Sequence, residues 1–333
     1  MISGADSCIV VGAGISGLLA ARELRAEGWR VTVLDKGRGV GGRMATRRVG
    51  EGNFDPGAQF FTVRGERFAD LVEGWLAVGV AEEWTRGFAD AAGELNEDGH
   101  PRYRGTAGMT SIPKYLAREL DVRTGEKVVS VESVDEGWEV ACESGLHVAS
   151  AALLLTTPVP QALGLIESGG YALPDEPHLQ LAAISYDPCL ALMALLDGPA
   201  GVPEPGGVQI KGEPLDWIGD NRQKGISQAP AITVHAGPRW SRAHFGDDEA
   251  EITRSLLAFA GDQLGTDLES RTVDTSIARW RYSWVTQAHP EPCLVASSNP
   301  PLLFCGDAFG QPKVEGAALS GLDAADRLLG RDG

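Results

Sequence analysis

Residues 8–43, CIVVGAGISGLLAARELRAEGWRVTVLDKGRGVGGR, decide the fold. The apolar, β-branched start predicts a strand over 7–11, and the helical spacing of the apolar residues in 15–24 predicts a helix that Gly28 ends. A second short strand follows and ends at Asp35. A β-α-β unit of about thirty residues is typical of a parallel sheet covered by helices. The chain is therefore expected to begin as an α/β domain.

The turn between the first strand and the helix carries the spacing G-x-G-x-x-G. In such a turn the first glycine permits the tight bend, the second lets the backbone approach a diphosphate, and the third allows close helix packing. Asp35 follows the third glycine by eighteen residues and is placed to accept hydrogen bonds from ribose hydroxyls, which disfavours a 2′-phosphate at this site. NAD and FAD both remain open at this point. The residues expected to contact the nucleotide here are Gly12, Ala13, Gly14, Ile15, Ser16 and Gly17.

The residues that follow Asp35 favour FAD, because a second glycine motif, Gly41-Gly42, is followed by arginine and offers a second backbone approach to a long ligand. This stretch resembles the flavin-dependent amine oxidase superfamily, in which an acid, a basic residue and Gly-Gly-Arg wrap the FAD diphosphate. The resemblance implies non-covalent FAD. The contacts it implies in this segment are Asp35, Lys36, Gly41, Gly42, Arg43 and Met44.

Three further segments resemble the same superfamily. FDPGAQFF, residues 54–61, is similar to a stretch that lies against the isoalloxazine ring, and Val128 falls where a strand backbone holds the adenine. FCGDA near the C-terminus is similar to a strand whose aspartate binds the ribityl chain, and the helix after it would direct its positive end at the flavin pyrimidine. The further contacts implied are Ala58, Gln59, Phe60, Phe61, Val128, Thr157, Gly306, Asp307, Gly316 and Ala317.

The expected architecture is α/β: a Rossmann-like FAD-binding domain of the amine oxidase or p-hydroxybenzoate hydroxylase type with an inserted, mostly antiparallel-sheet substrate domain. We predict that residues 1–74, 105–160 and 296–333 form the FAD-binding domain and that 75–104 and 161–295 form the substrate domain. Strands near 127–133, 137–143 and 151–156 are expected to form one antiparallel unit.

Composition limits the class of partner. The 333 residues are 43% hydrophobic and carry a formal charge of −17, which disfavours nucleic acid and anionic membranes. Five cysteines without a C-x-x-C spacing and six scattered histidines predict reduced thiols and no metal site. No secretion signal or spanning segment is visible, so a cytoplasmic setting is expected.

Within the superfamily the chain resembles the renalase family, whose bacterial members have about this length. The resemblance rests on the order of five segments: TPVP at 157–160, WIGDN at 217–221, TVH at 233–235, WRYS at 280–283, and G-D-x-F at 306–309. Residues 86–100 and 197–214 match no family segment. The resemblance implies that the 2- or 6-dihydro isomers of NAD(P)H are oxidised to NAD(P)⁺, while O₂ reoxidises the flavin and gives hydrogen peroxide.

This reaction requires no general base, because loss of a hydride turns the dihydropyridine into an aromatic pyridinium. The protein has to place the donor carbon about 3 to 3.5 Å from flavin N5. No catalytic side chain is certain, and His235 is the candidate. The substrate-pocket candidates are Gln59, Phe61, Trp217, Asn221, Arg222, His235, Trp280 and Trp284.

Two other functions are consistent with the sequence. An FAD-dependent amine or amino-acid oxidase shares these FAD motifs, and reduction of the flavin by amines would reveal it. A non-catalytic FAD-fold binding protein would give a colourless preparation that takes up no FAD. An NAD-dependent dehydrogenase is disfavoured, because the one G-x-G-x-x-G turn would hold FAD.

Overall fold

The computed structural model describes residues 6–135 and 137–331. Within these ranges the chain forms nine α-helices and eighteen strands. The helices are α1 (Ile15–Ala26), α2 (Glu66–Ala77), α3 (Ser111–Leu116), α4 (Val159–Ser168), α5 (Asp175–Ala182), α6 (Pro238–Ala243), α7 (Glu249–Leu264), α8 (Leu268–Arg271) and α9 (Lys313–Leu328). The strands are β1 (Ser7–Val11), β2 (Arg30–Asp35), β3 (Arg47–Val49), β4 (Gly52–Phe54), β5 (Ala81–Asp90), β6 (Leu95–Gly105), β7 (Asp121–Thr124), β8 (Val128–Val134), β9 (Gly137–Cys142), β10 (His147–Ser150), β11 (Ala152–Leu155), β12 (Ser185–Leu196), β13 (Gly207–Gln209), β14 (Leu215–Asp220), β15 (Ala231–Ala236), β16 (Thr272–Gln287), β17 (Cys293–Ser298) and β18 (Pro301–Cys305).

The first sheet is built on the opening β-α-β unit and has the order β17-β18-β11-β1-β2-β7. All its neighbouring strands run parallel except β17 and β18. β1 is buried along its whole length, as expected of a parallel strand covered on both faces. Helices α1 and α9 cover one face, and they approach so closely that a side chain at Gly321 would collide with the backbone oxygen of Ser16. The carboxyl ends of β1, β2, β11 and β18 therefore meet at one edge, where ligands of such sheets bind.

The small antiparallel sheet has the order β10-β9-β8 and covers the other face of the first sheet. The prediction that the strand near 151–156 belongs to this unit is wrong. β10 is its third strand, and β11 lies between β1 and β18. The reason is that β11 reads ALLL and is buried on both of its faces, which suits the centre of a parallel sheet.

The large sheet has the order β16-β12-β15-β14-β13-β5-β6 and is antiparallel except between β13 and β5. Strand β12, which lies next to the edge strand β16, is apolar on both faces. Leu190 and Leu192 pack on the side of α7, whereas Ala191 and Met193 pack against Phe54. Because Phe54 ends the β3–β4 hairpin, this packing sets the following loop, residues 55–61, against the large sheet.

The expected fold class is confirmed. The segments 86–100 and 197–214 contribute to β5, β6 and β13 of the large sheet. Helix α5 and all of α4 except its first two residues, which the predicted division assigns to the substrate domain, pack on the core of the first sheet. The domain boundaries themselves stay a prediction. Every helix in the described part of the chain is too short or too polar to cross a membrane.

Candidate functional site

The glycine turn leaves room for a ligand at the start of α1. Gly12 has φ +115°, a conformation that side chains rarely adopt, while a Cβ at Gly14 would meet no atom within 4 Å. The helix begins directly afterwards, at Ile15, so its unpaired N–H groups face this space. Next to the turn, the hydroxyl of Thr157 is buried and has no hydrogen-bond partner in the described chain. A backbone cradle beside an unpaired donor fits the diphosphate of a dinucleotide.

The second glycine pair lies beside this turn. The Gly41 N–H donates to the Ala13 carbonyl over 2.8 Å, and a Cβ at Gly42 would lie 3.9 Å from the Gly14 Cα. Asp35 connects the two segments, because it accepts from the Ala13 N–H over 2.7 Å and from the Gly37 N–H over 2.6 Å. A carboxylate has about four acceptor positions, so Asp35 retains capacity for a ribose hydroxyl.

Arg43 and Asp307, from opposite ends of the chain, form a bidentate ion pair with two bonds of 2.6 Å. Arg43 also donates to the Tyr282 carbonyl of β16 over 3.2 Å, so the guanidinium links the first sheet to the large sheet. The contact fixes the turn after β18 against the Gly41–Gly42 loop. Nearby, Ser16 donates to the Ala317 carbonyl over 2.7 Å and joins the starts of α1 and α9.

Asp55 anchors the 55–61 loop through a fully buried ion pair that the sequence does not reveal. Its Oδ2 lies 2.6 Å from Lys224 Nζ, and both side chains are 1% exposed. The same carboxylate accepts from Thr46 Oγ1 over 2.6 Å and from the Met109 N–H over 3.0 Å. Burial lowers the pKa of Lys224, although the neighbouring Asp55 favours the charged form. Lys224 Nζ also lies 5.2 Å from the ring centroid of Trp84.

The carbonyl of Pro56 is held from two strands of the large sheet. His235 Nε2 on β15 lies 3.1 Å from it, and Trp280 Nε1 on β16 donates over 2.9 Å. Burial lowers the pKa of His235 to about 4, so the imidazole is neutral at pH 7. Because a carbonyl only accepts, the Nε2 of the neutral ring carries the hydrogen. This nitrogen is therefore engaged in positioning the loop.

Gln59 and Trp217 meet above Gly219. A Cβ at Gly219 would lie 2.7 Å from Trp217 Nε1 and 3.2 Å from Gln59 Oε1, and neither atom has a hydrogen-bond partner in the described chain. The amide nitrogen of Gln59 donates to the Asp55 carbonyl and, over 3.3 Å, to that of Gly57. The pair thus leaves one buried donor and one buried acceptor next to the 55–61 loop.

Phe60 and Phe61 point in opposite directions. Phe61, a predicted pocket residue, packs in the core of the first sheet with Phe68, Trp75 and, at a centroid distance of 5.7 Å, Tyr103. Phe60 instead faces the large sheet and contacts Phe88 and Trp217 at centroid distances of 5.0 and 5.9 Å. This placement differs from the prediction, and the reason is that successive residues of an extended segment face opposite sides.

The remaining pocket candidates are not gathered at one point. Asn221 is buried and holds a turn, since its side chain donates to the Ala231 carbonyl over 3.3 Å and to Thr233 Oγ1 over 3.0 Å. Arg222 is exposed on that turn, and Trp284 is 41% exposed on β16. The structure thus brings together Gln59, Trp217, His235 and Trp280 around the 55–61 loop and leaves Arg222 and Trp284 on the surface.

A tyrosine pair that sequence reasoning missed lies beside the Arg43–Asp307 contact. Tyr186 and Tyr282 touch edge to face with a centroid distance of 5.5 Å. The Tyr186 hydroxyl accepts from the Val159 N–H over 3.2 Å, and burial raises the pKa of Tyr186 to about 12. Tyr282 stands in the WRYS segment, but Tyr186 belongs to a different strand, so no local pattern connects the two.

Comparisons with known proteins identify the family and the fold. Residues 10–75 match an NAD(P)-binding Rossmann-like domain, and residues 66–329 match the family described as flavin-containing amine oxidoreductase. The chain is 26% identical to renalase of Mus musculus over 94% of this chain and 96% of that protein. A phytoene desaturase of Cereibacter sphaeroides is 46% identical over 61 residues, which cover 18% of this chain and 12% of that protein. A putrescine oxidase structure with bound putrescine superposes with a TM-score of 0.73 at 18% identity and covers 98% of this chain and 99% of that chain, which shows a shared fold.

Proposed function

Because the chain belongs to the family of flavin-containing amine oxidoreductases, we propose that it is an oxidase of the 2- or 6-dihydro isomers of NAD(P)H. Family membership establishes an FAD-dependent oxidoreductase with FAD as its cofactor. The proposed donor is the nicotinamide isomer, and the products are NAD(P)⁺ and, from O₂ and one proton, hydrogen peroxide. The likeness to renalase over nearly the whole chain supports this choice of substrate.

The residues that would hold FAD are those of the cradle. The turn with Gly12 and Gly14 would receive the diphosphate, Asp35 a ribose hydroxyl, and Asp307 the ribityl chain. Bound FAD supplies N5 as the hydride acceptor and passes the electron pair to O₂. The protein keeps the 55–61 loop in one place, through Lys224 and the Pro56 carbonyl, so that a substrate is presented at a constant distance.

The observation that carries the proposal is that the buried titratable groups in and around the 55–61 loop already have partners within the protein. Asp55 is paired with Lys224, and His235 is neutral with its Nε2 on the Pro56 carbonyl. An alkyl ammonium must lose a proton before a C–H hydride can leave, so it needs a base. A dihydropyridine loses only the hydride and becomes aromatic. The groups described around this loop therefore suit the oxidation of a dihydropyridine better than the oxidation of an amine.

The tyrosine pair leaves no room for a substrate group between its two rings. A ligand group between two aromatic rings requires centroids about 7 Å apart, which is twice the contact distance of about 3.5 Å. Tyr186 and Tyr282 are 5.5 Å apart and in edge-to-face contact, so no flat slot separates them. Their arrangement is that of a packed wall.

The test uses the FAD-loaded protein with purified 2-dihydro and 6-dihydro isomers of NAD and NADP and, separately, a panel of primary amines and amino acids. Peroxide and NAD(P)⁺ are measured together. We expect at least one isomer to give the two products in a one-to-one ratio, with no peroxide from the amines. Peroxide from amines and none from any isomer would overturn the proposal in favour of an amine oxidase.

A further inference from the structure

Residues 36–48 are strongly basic in an acidic chain. They include Lys36, Arg38, Arg43, Arg47 and Arg48 and no aspartate or glutamate, whereas the chain as a whole has 46 acidic against 29 basic residues. The averaged field repels an anion, so an anionic ligand must be held by local positive charge. Residues 36–48 provide this local positive charge, between the FAD cradle and the large sheet.

Three arginines of the segment, Arg38, Arg47 and Arg48, lack a carboxylate partner among the described residues, and Arg48 donates instead to the Gly50 carbonyl over 3.0 Å. Arg43 is occupied by Asp307, and Lys36 contacts Gln161 over 3.1 Å. Among the described residues, neither Arg38 nor Arg47 forms an ion pair, and the charge of Arg38 acts together with partial burial to lower the pKa of Arg47. Both side chains are exposed, so an anion from solution can reach them.

Arg47 places part of this positive charge close to the 55–61 loop. Its guanidinium lies 5.4 Å from the ring centroid of Trp280, whose Nε1 donates to the Pro56 carbonyl of the 55–61 loop. Trp280 thus contacts the Arg47 guanidinium with its ring and the 55–61 loop through its Nε1–H. A group bound at Arg47 would therefore lie beside Trp280, on the edge strand β16 of the large sheet.

We propose that Arg38 and Arg47 bind a phosphate group of the dinucleotide substrate, an inference that rests on the proposed function. Guanidinium groups suit this task because their planar N–H donors match phosphate oxygens in pairs. The diphosphate of FAD is the other source of the same chemistry. If the arginines bind the substrate, the effect of replacing them depends on which substrate is used. If they bind the FAD diphosphate, the effect is the same for every substrate.

The test compares wild type with Arg47→Met, Arg38→Gln and the double variant. Substrates are the 2- and 6-dihydro isomers of nicotinamide riboside, nicotinamide mononucleotide, NAD and NADP. Loss of one charge-assisted contact is expected to raise KM about tenfold for the substrates that carry the recognised phosphate. KM for the riboside is expected to stay unchanged. The control is Arg48→Met, which removes the same charge from the adjacent residue, whose side chain faces the other side of the strand.

Each outcome decides the matter. Equal rises in KM for riboside and dinucleotide, or a tenfold rise in the FAD dissociation constant with parallel effects on all substrates, would assign the arginines to the cofactor and overturn the inference. No change in KM for any substrate would overturn it as well, while the proposed function would stand. If no isomer reduces the wild-type flavin, both the function and this inference fail. Flavin absorbance and melting temperature show that the variants are folded.

Discussion

Replacing Lys224 by methionine removes one partner of a fully buried ion pair and leaves the Asp55 carboxylate inside the protein. Breaking a buried pair in this way costs about 3–5 kcal/mol. Asp55 keeps its bonds from Thr46 Oγ1 and the Met109 N–H, so we expect the lower end, about 3 kcal/mol. This amount is a large part of the total stability of an ordinary domain.

The assay is urea unfolding of the FAD-loaded protein at pH 7 and one fixed FAD concentration, because a bound ligand adds to the free energy of unfolding. The matched control is Lys127→Met, which breaks an exposed pair with Glu143 at 2.9 Å. Exposed pairs are worth at most about 1 kcal/mol. The double variant D55N/K224M removes both buried charges and should regain about 1 kcal/mol or more relative to Lys224→Met.

Two results would refute this reasoning. One is a loss for Lys224→Met that equals the loss for Lys127→Met. The other is a double variant whose loss equals the sum of the losses of the single variants D55N and K224M, because the two charges would then not be coupled. We also expect Lys224→Met to weaken FAD binding, since the resemblance of residues 54–61 to the superfamily implies that the freed 55–61 loop lies against the isoalloxazine ring.

Three further predictions follow from the site. His235 has a pKa of about 4 in the folded protein against an ordinary 6.5, so the unfolded chain takes up the proton at a higher pH than the folded protein does. The free energy of unfolding should therefore fall by about 3 kcal/mol as the pH drops from 6.5 to 4. His235→Asn should lack this component in pH-dependent unfolding, and an unchanged pH slope would contradict the buried neutral state. The same variant should keep kcat within about tenfold of wild type in the peroxide assay, whereas a catalytic base would lose about 10²–10⁴-fold. Gly14→Val would fill the open cradle and should abolish the flavin absorbance of the purified protein, while Gly74→Ala, at an open helix position, should retain it; a yellow Gly14→Val protein would show that the diphosphate lies elsewhere.

Local patterns predicted the parts of the structure that depend on neighbouring residues. The β-α-β start follows from one glycine spacing and one change of hydrophobic period. The FAD cofactor was also predicted, because the glycine turn, the Gly-Gly-Arg segment and the Gly-Asp strand together resemble one superfamily.

Contacts between distant residues had no such signal. Lys224 is a single lysine in a turn, and its partner lies 169 residues away. The bridge that pairs Phe61 with Tyr103 decides that Phe61, and not Phe60, faces the core of the first sheet, and the alternation along the segment does not reveal this choice. β10 and β11 are separated by one residue, so an apolar run could not show that the chain changes sheet between them.

The most direct test of the central claim is anaerobic mixing of the FAD-loaded protein with each purified dihydro isomer of NAD and NADP while the flavin absorbance is recorded. The account predicts rapid bleaching by a 2- or 6-dihydro isomer, with one NAD(P)⁺ formed per flavin. A flavin that primary amines bleach, and that all of these isomers leave oxidised, would contradict it.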